Sequence, residues 1–430
     1  MSATTDQAVY DFLAAAVTII AVAYGLYLLL TFLRRRRSDL SIGAPIAVAF
    51  GLRILAAVAL TSTGFGSTLR GGDETFFLEG AVRISSATIG NELWTDALTG
   101  ELFKFVFASQ LFALDPPELA LRVTQGGIAV AGLALLAVAV YELAGPRAAL
   151  ISAWVLALEP TNVFFSTLLH KEPNMLLAGG LVALGGATLW KRGDLRPLLP
   201  IALGCLIAVA TRPYAGWFLI AAGAAIALHA GIRSRGEGSS RPLTLIAVVV
   251  LFGAVAAPTI WEASTEENLD LRVQQSQDAN ASDDSNLSLE RVDFSTREAI
   301  VLNLPQRMRD VLLRPYPWQL GNTSQQLGLI GSLFAFVVFA MLIRELLLSR
   351  GRLMARAGPL VYIGLMLLIA YALSAGNAGT GFRYRMHVVA LAVCLLVVLW
   401  ALRERATAPS AVAEEVRISG PPPDTQPLRA

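Results

Sequence analysis

The residues able to do chemistry in this chain are few, and most of them interrupt the pattern around them. Gly71-Gly72-Asp73-Glu74 sets two adjacent carboxylates directly behind two glycines. Glycine lets the backbone approach a ligand closely, so Asp73 is the best candidate for a general base; Glu74 could assist it, bind a divalent cation, or stay a solvated charge. Further charges border or break apolar runs: Arg122, then Lys171 and Glu172 beside His170, then Arg212 ahead of Pro213, then Arg383 and Arg385. A planar guanidinium fork suits phosphate. Lys171, Glu172, Arg212, Arg383, Arg385 and Arg122 are therefore read as a substrate- and phosphate-binding set. The alternative is that these cations pair with acids such as Glu159 or Glu172, or contact ordinary lipid phosphates. His170 reads as a hydrogen-bonded helix-end residue. The glycine-rich stretch from Gly376 to Gly381 lacks the strand and the Lys-Ser/Thr of a P-loop and reads as a turn that presents Arg383.

The elements that must hold these residues are membrane spans. The chain has 430 residues, of which 55% are hydrophobic and 15% charged, with a mean hydropathy of +0.59. An ordinary soluble domain carries roughly 25% charged residues, so a soluble enzyme is excluded. The 34 Lys and Arg nearly balance the 32 Asp and Glu, which leaves no basic excess for a nucleic-acid partner. Cys205 and Cys394 lie inside apolar runs and read as small hydrophobes. His170, His229 and His387 have no zinc-site spacing.

Apolar runs fall near residues 9–33, 41–63, 118–141, 147–159, 162–190, 197–211, 213–231, 242–261, 326–348, 357–375 and 386–402. They predict an all-α polytopic membrane protein with about 11 transmembrane helices. The first run is too long for a cleaved signal peptide, and its basic residues follow it instead of preceding it; it is expected to stay in the mature protein. Glu159-Pro160 reads as a tight external turn between two helices, because proline disfavours a helical residue before it; a re-entrant pair there would also preserve the parity of the crossings.

Orientation follows from where Lys and Arg collect. Arg34 to Arg37, Arg147, Lys191, Arg192, Arg196, Arg233, Arg235, Arg241, Arg350, Arg352, Arg356, Arg403 and Arg405 all follow odd-numbered runs. By the positive-inside rule the N-terminus is outside and the C-terminus cytoplasmic in a multi-pass cell (plasma or inner) membrane protein. The cations of the first paragraph then sit on the outer face, against that rule, and call for a reason. Two long loops are also external. Residues 64–117 carry two short apolar helices, one from Asp73 to about Ile84 and one ending at Asp115-Pro116-Pro117, suited to the membrane interface. Residues 262–325 are acidic and polar at first and end in Arg314-Pro315-Tyr316-Pro317-Trp318, either an interfacial aromatic anchor or a wall that packs a lipid or sugar ring.

The acidic pair on the first external loop, Phe77 three residues after Glu74, Ala81, the two interfacial helices, Arg122 and the run from Leu156 to Leu184 with Pro160 and Lys171-Glu172 together resemble membrane glycosyltransferases of the GT-C type. Protein O-mannosyltransferases and the aminoarabinose transferase of lipid A belong to that group. The likeness covers about residues 45–260, and an extra first span departs from the pattern. Arg212-Pro213-Tyr214 and the 376–385 segment look more like parts of bacterial polysaccharide-assembly membrane proteins. The chain divides accordingly into an extra N-terminal helix and basic loop (1–40), a GT-C-like core (41–261), an extracytoplasmic loop (262–325), C-terminal spans (326–402) and a cytoplasmic tail (403–430) expected to be disordered.

The resemblance implies an inverting transfer of a sugar from a polyprenyl-phosphate donor to a glycan, lipid or protein acceptor on the extracytoplasmic side. Asp73 would be the base, and Lys171, Arg212 and Arg383 would neutralise the leaving phosphate. A polysaccharide polymerase or ligase acting on lipid-linked glycans is the nearest rival, and a lipid or sugar transporter or flippase is the reading from another class. Membrane lipid is a partner under all three. A divalent cation is left open.

Overall fold

The computed structural model describes residues 2–63, 73–192, 195–233, 292–321, 323–348, 353–375 and 378–407. The run at 242–261, Gly71-Gly72, the acidic stretch 262–291, Arg235, Arg241, Arg350, Arg352, Gly376-Asn377 and the tail from 408 lie outside the described residues. Those described form an all-helical, polytopic membrane protein.

The helices are α1 (Ser2–Arg34), α2 (Gly43–Thr63), α3 (Asp73–Ser85), α4 (Glu92–Gly100), α5 (Leu102–Leu114), α6 (Glu118–Ala144), α7 (Pro146–Leu158), α8 (Pro160–Phe165), α9 (Glu172–Arg192), α10 (Leu198–Thr211), α11 (Pro213–Arg233), α12 (Arg297–Leu313), α13 (Thr323–Leu348), α14 (Leu353–Ser374) and α15 (Ala378–Thr407). Among the described residues eight are long and apolar enough to cross a membrane: α1, α2, α6, α9, α11, α13, α14 and α15. α10 has 14 residues, about 21 Å of helix against roughly 30 Å of hydrocarbon. α15 is the most enclosed span, with 89% of its apolar window buried, and α1 the least, with 11%.

Two breaks shape the bundle. Glu159-Pro160 is not the external turn expected from the sequence. The Glu159 side chain accepts from the Thr161 backbone N–H at 3.0 Å and also from that of Asn162, and Pro160 occupies the first helical position, where its missing N–H costs nothing. The helix therefore restarts at once, α7 and α8 together make one return path, and the turn falls at 166–171. The run expected at 162–190 is divided accordingly, with α9 starting at Glu172. The second break is Arg212, whose φ of −152° and ψ of 83° separate α10 from α11. A Cβ at Gly216 would fall 2.6 Å from the Val209 backbone, so the two helices fold back on each other as a hairpin with Arg212 at its tip.

α6 and α9 run side by side in backbone contact: a Cβ at Gly180 would lie 2.6 Å from the Gly132 carbonyl oxygen. Small residues permit such approach between spans. At one end of the bundle, Arg37 and Lys191 meet Glu142, Arg147 meets Glu404 and Arg403 meets Glu345. The basic connectors thus gather at a single end. α3, α4 and α5 make a small cluster of their own at the opposite end, with Ala81, Ile84, Trp94, Phe103 and Phe107 packed against Leu121 and Leu169.

Candidate functional site

Asp73 and Glu74 open α3, where carboxylates are favoured by the helix dipole, and they turn apart. Glu74 is buried. Its carboxylate takes two parallel bonds from Arg122, Nη1 to Oε1 at 2.7 Å and Nη2 to Oε2 at 2.9 Å, and a third from the Leu169 backbone N–H at 2.8 Å. Arg122, 1% exposed, also donates through Nε to Glu118 at 2.8 Å and through Nη1 to the Thr167 carbonyl at 3.2 Å. Burial alone would raise the Glu74 carboxyl, but the Arg122 bonds and charge and the Leu169 N–H hold it below its ordinary 4.5. The pair joins α3, α6 and the 166–171 turn, and so fixes where Asp73 stands. The expected place of Glu74 beside Asp73, and of Arg122 on phosphate, is taken by this mutual bond.

Asp73 stays half exposed and accepts from Arg383 Nη1 at 2.6 Å through Oδ2. The same Nη1 lies 3.2 Å from His170 Nδ1. Burial first, and then the Arg383 charge, push His170 down to about 4. The ring is therefore neutral, Nδ1 accepts, and Nε2 carries the proton. That Nε2 is buried and has no hydrogen-bond partner among the described residues.

Glu172 accepts from Arg212 Nη2 at 3.0 Å, the acid pairing weighed above as the alternative for this arginine. The guanidinium lies over the Tyr384 ring, 4.4 Å from its centroid; Tyr384 stacks on Tyr371 and meets the Tyr214 hydroxyl at 2.6 Å. His387 Nε2 is 2.9 Å from the Glu172 carbonyl oxygen and donates to it, so its Nδ1 accepts from the Tyr371 hydroxyl at 3.1 Å. Glu172 Oε2, Arg212 Nη1, Thr211 Oγ1 and Asn174 Nδ2 are buried here without a hydrogen-bond partner among the described residues.

Lys171 forms no salt bridge among the described residues. Its ammonium rests between rings, 5.2 Å from the Phe103 centroid and 5.6 Å from that of Phe77, and burial, followed by the Arg212 charge, lowers its pKa. Lys104 is paired with Glu101 at 2.6 Å. With Asp73 matched to Arg383, Glu172 to Arg212 and Glu101 to Lys104, Lys171 is left without a carboxylate partner among the described residues, while Arg122 is shared by two carboxylates, Glu74 and Glu118. No group of three or more His, Cys, Asp or Glu side chains is arranged to hold a metal among the described residues, and with Glu74 bound to Arg122 the Asp73-Glu74 pair does not present two carboxylates to one ion.

Arg385 is set apart from this cluster. It is 1% exposed and donates to the Arg314 carbonyl at 2.8 Å and to Ser332 Oγ at 2.7 Å. It also borders an apolar cavity of about 380 Å³ between α2, α7, α8, α13 and α15, lined among others by Leu52, Phe164, Phe165, Ile330 and Phe382. Glu101, Lys104 and Glu118 escaped the reading of the sequence, and so did a fourth charged residue set deeper in the bundle. Arg53, inside α2 and 1% exposed, donates to Asn162 Oδ1 at 2.6 Å and Ser166 Oγ at 2.8 Å. Its signal was present: an arginine inside an apolar run is costly unless it has partners.

The fold and this cluster define a polytopic helical membrane protein with a polar, charged site at the end away from its basic connectors. Comparison of the chain with protein-family models, curated proteins and solved structures finds no match.

Proposed function

We propose that this protein is a membrane glycosyltransferase that moves a sugar from a polyprenyl-phosphate donor to an extracytoplasmic glycan, lipid or protein acceptor with inversion. The observation that carries the reading is the contact between Asp73 and Arg383 beside the Lys171 ammonium, which no carboxylate pairs among the described residues. A carboxylate able to take a proton and a guanidinium able to hold phosphate stand next to each other.

In this mechanism the acceptor hydroxyl attacks the anomeric carbon while Asp73 takes its proton. The bond from that carbon to the phosphate oxygen breaks, and its electron pair leaves on the lipid phosphate. Arg383, Lys171 and Arg212 stabilise the charge as it develops, and Glu172 orients Arg212. Such fixed electrostatics and a positioned base each contribute on the order of 10²-fold or more. A few isoprene units of the donor occupy the apolar cavity beside Arg385, which is of ordinary ligand-pocket size. Glu74 and Arg122 act as positioning residues.

The test is Asp73→Asn in proteoliposomes supplied with polyprenyl-phosphate sugars. Transfer is expected to fall at least 100-fold while the protein remains monodisperse. Full activity in that variant removes the base and favours the polymerase or ligase reading, which the Arg212 and Arg383 placements also support because it relies on arginines without an acid. Uptake into vesicles with no covalent change in the substrate favours a transporter.

A further inference from the structure

Between α12 and α13 lies an aromatic pair that the polar cluster does not use. Tyr316 and Trp318 stack with centroids 4.9 Å apart and planes 12° from parallel. Tyr316 is buried, while Trp318 is 77% exposed, so the outer face of the indole is open. The pair is held firmly from beneath. The Tyr316 hydroxyl donates to Asp310 at 2.9 Å, the Arg309 and Arg314 guanidinium carbons lie 5.9 and 5.6 Å from the Tyr316 centroid, and the Tyr316 N–H donates to Gln319 Oε1 at 3.3 Å. Arg385 anchors the base of the platform through the Arg314 carbonyl, two residues along α15 from Arg383.

We propose that Tyr316 and Trp318 form a carbohydrate-binding platform on which a pyranose ring of a glycan acceptor stacks against the open face of Trp318. The role as an acceptor subsite rests on the glycosyl-transfer reading; the binding itself does not. An aromatic face carries negative charge density, and the C–H bonds on one side of a pyranose present positive edges to it. A rigid stacked ring loses little conformational freedom on binding. The rim is polar: the Arg309 side chain is 55% exposed and offers donors for sugar hydroxyls. A lipid anchor would sit among apolar neighbours, whereas the exposed charged group beside this pair, Arg309, is costly to place in hydrocarbon.

The experiment is saturation-transfer NMR on the full chain in nanodiscs with maltotriose, mannotriose and chitotriose as probes. Ring-proton saturation from at least one trisaccharide is expected, reduced five-fold or more in Trp318→Ala and largely kept in Trp318→Phe, with all proteins monodisperse. No ring-proton signal from any of the three, or an undiminished signal in Trp318→Ala, overturns the proposal. Quenching of tryptophan fluorescence by brominated lipid chains that disappears in Trp318→Phe also overturns it, by placing the ring in the bilayer. Asp73→Asn separates the two readings: it should abolish transfer yet leave trisaccharide binding intact. Binding lost in Trp318→Ala together with transfer retained in Asp73→Asn would sink the base assignment and leave the platform standing.

Discussion

Arg383 holds Asp73 across 310 residues of sequence, its Nη1 donating to the Asp73 carboxylate at 2.6 Å. Without a ligand the candidate base and the candidate phosphate clamp occupy each other. A lipid phosphate must compete with Asp73 for this arginine, so the two substitutions should move donor affinity in opposite directions. A charge-assisted hydrogen bond is worth about 1.5–3 kcal/mol, and 1.4 kcal/mol is tenfold in affinity. Asp73→Asn should tighten binding of polyprenyl phosphate by roughly 10-fold, and Arg383→Gln should weaken it by at least as much, measured by displacement of a fluorescent lipid phosphate. Equal weakening by both would show that they do not compete.

Glu74 and Arg122 predict a stability effect separable from donor binding. Removing one partner of a buried pair costs about 3–5 kcal/mol. Arg122 keeps Glu118, so Glu74→Gln should cost about 3 kcal/mol, at the lower end of that range, read as a shift in denaturant midpoint in nanodiscs. The double variant Glu74→Gln/Arg122→Gln should recover part of the loss, because no charge is then stranded. A single variant as stable as the parent would show that the pair does not hold α3 in place.

Acid should loosen the same region in two stages. His170 has its folded value pushed down to about 4 from an ordinary 6.5, so the unfolded chain takes up a proton that the folded chain refuses. Stability is therefore lost as pH falls from 6.5 towards 4. Glu74, held below its ordinary 4.5, contributes fully above that value, and its share is lost as pH falls through the lowered one. Thermal unfolding followed against pH should show stability declining as pH falls below about 6.5. His170→Gln should shrink the upper stage and leave the lower. A parent protein with no decline between 6.5 and 4 would count against the neutral, buried imidazole.

Much of the site was legible because charge at the edge of an apolar run is conspicuous. Asp73, Lys171, Glu172, Arg212 and Arg383 stand out in that way, and the structure brings them together. The division of labour between Asp73 and Glu74 was not legible. Consecutive residues on a helix point about 100° apart, and which one faces inward depends on Arg122, 48 residues away. The fold shows the same limit. Eight long helices follow the hydropathy, but Glu159-Pro160 carries the marks of a loop and serves inside a return path, because a side-chain carboxylate caps the new helix where water would otherwise be needed. Arg53 was lost inside its own apolar run, since its partners Asn162 and Ser166 come from that interrupted path.

Arg383 and Arg385 share the first turns of α15, two positions apart and therefore turned about 200° from one another. One reaches Asp73 and His170; the other reaches the carbonyls beneath Tyr316 and the wall of the apolar cavity. α15 is also the most enclosed helix of the bundle. Its end therefore works as a rigid crossbar: a shift of that helix end which draws Arg383 towards a phosphate also displaces the floor of the aromatic platform and the wall of the cavity.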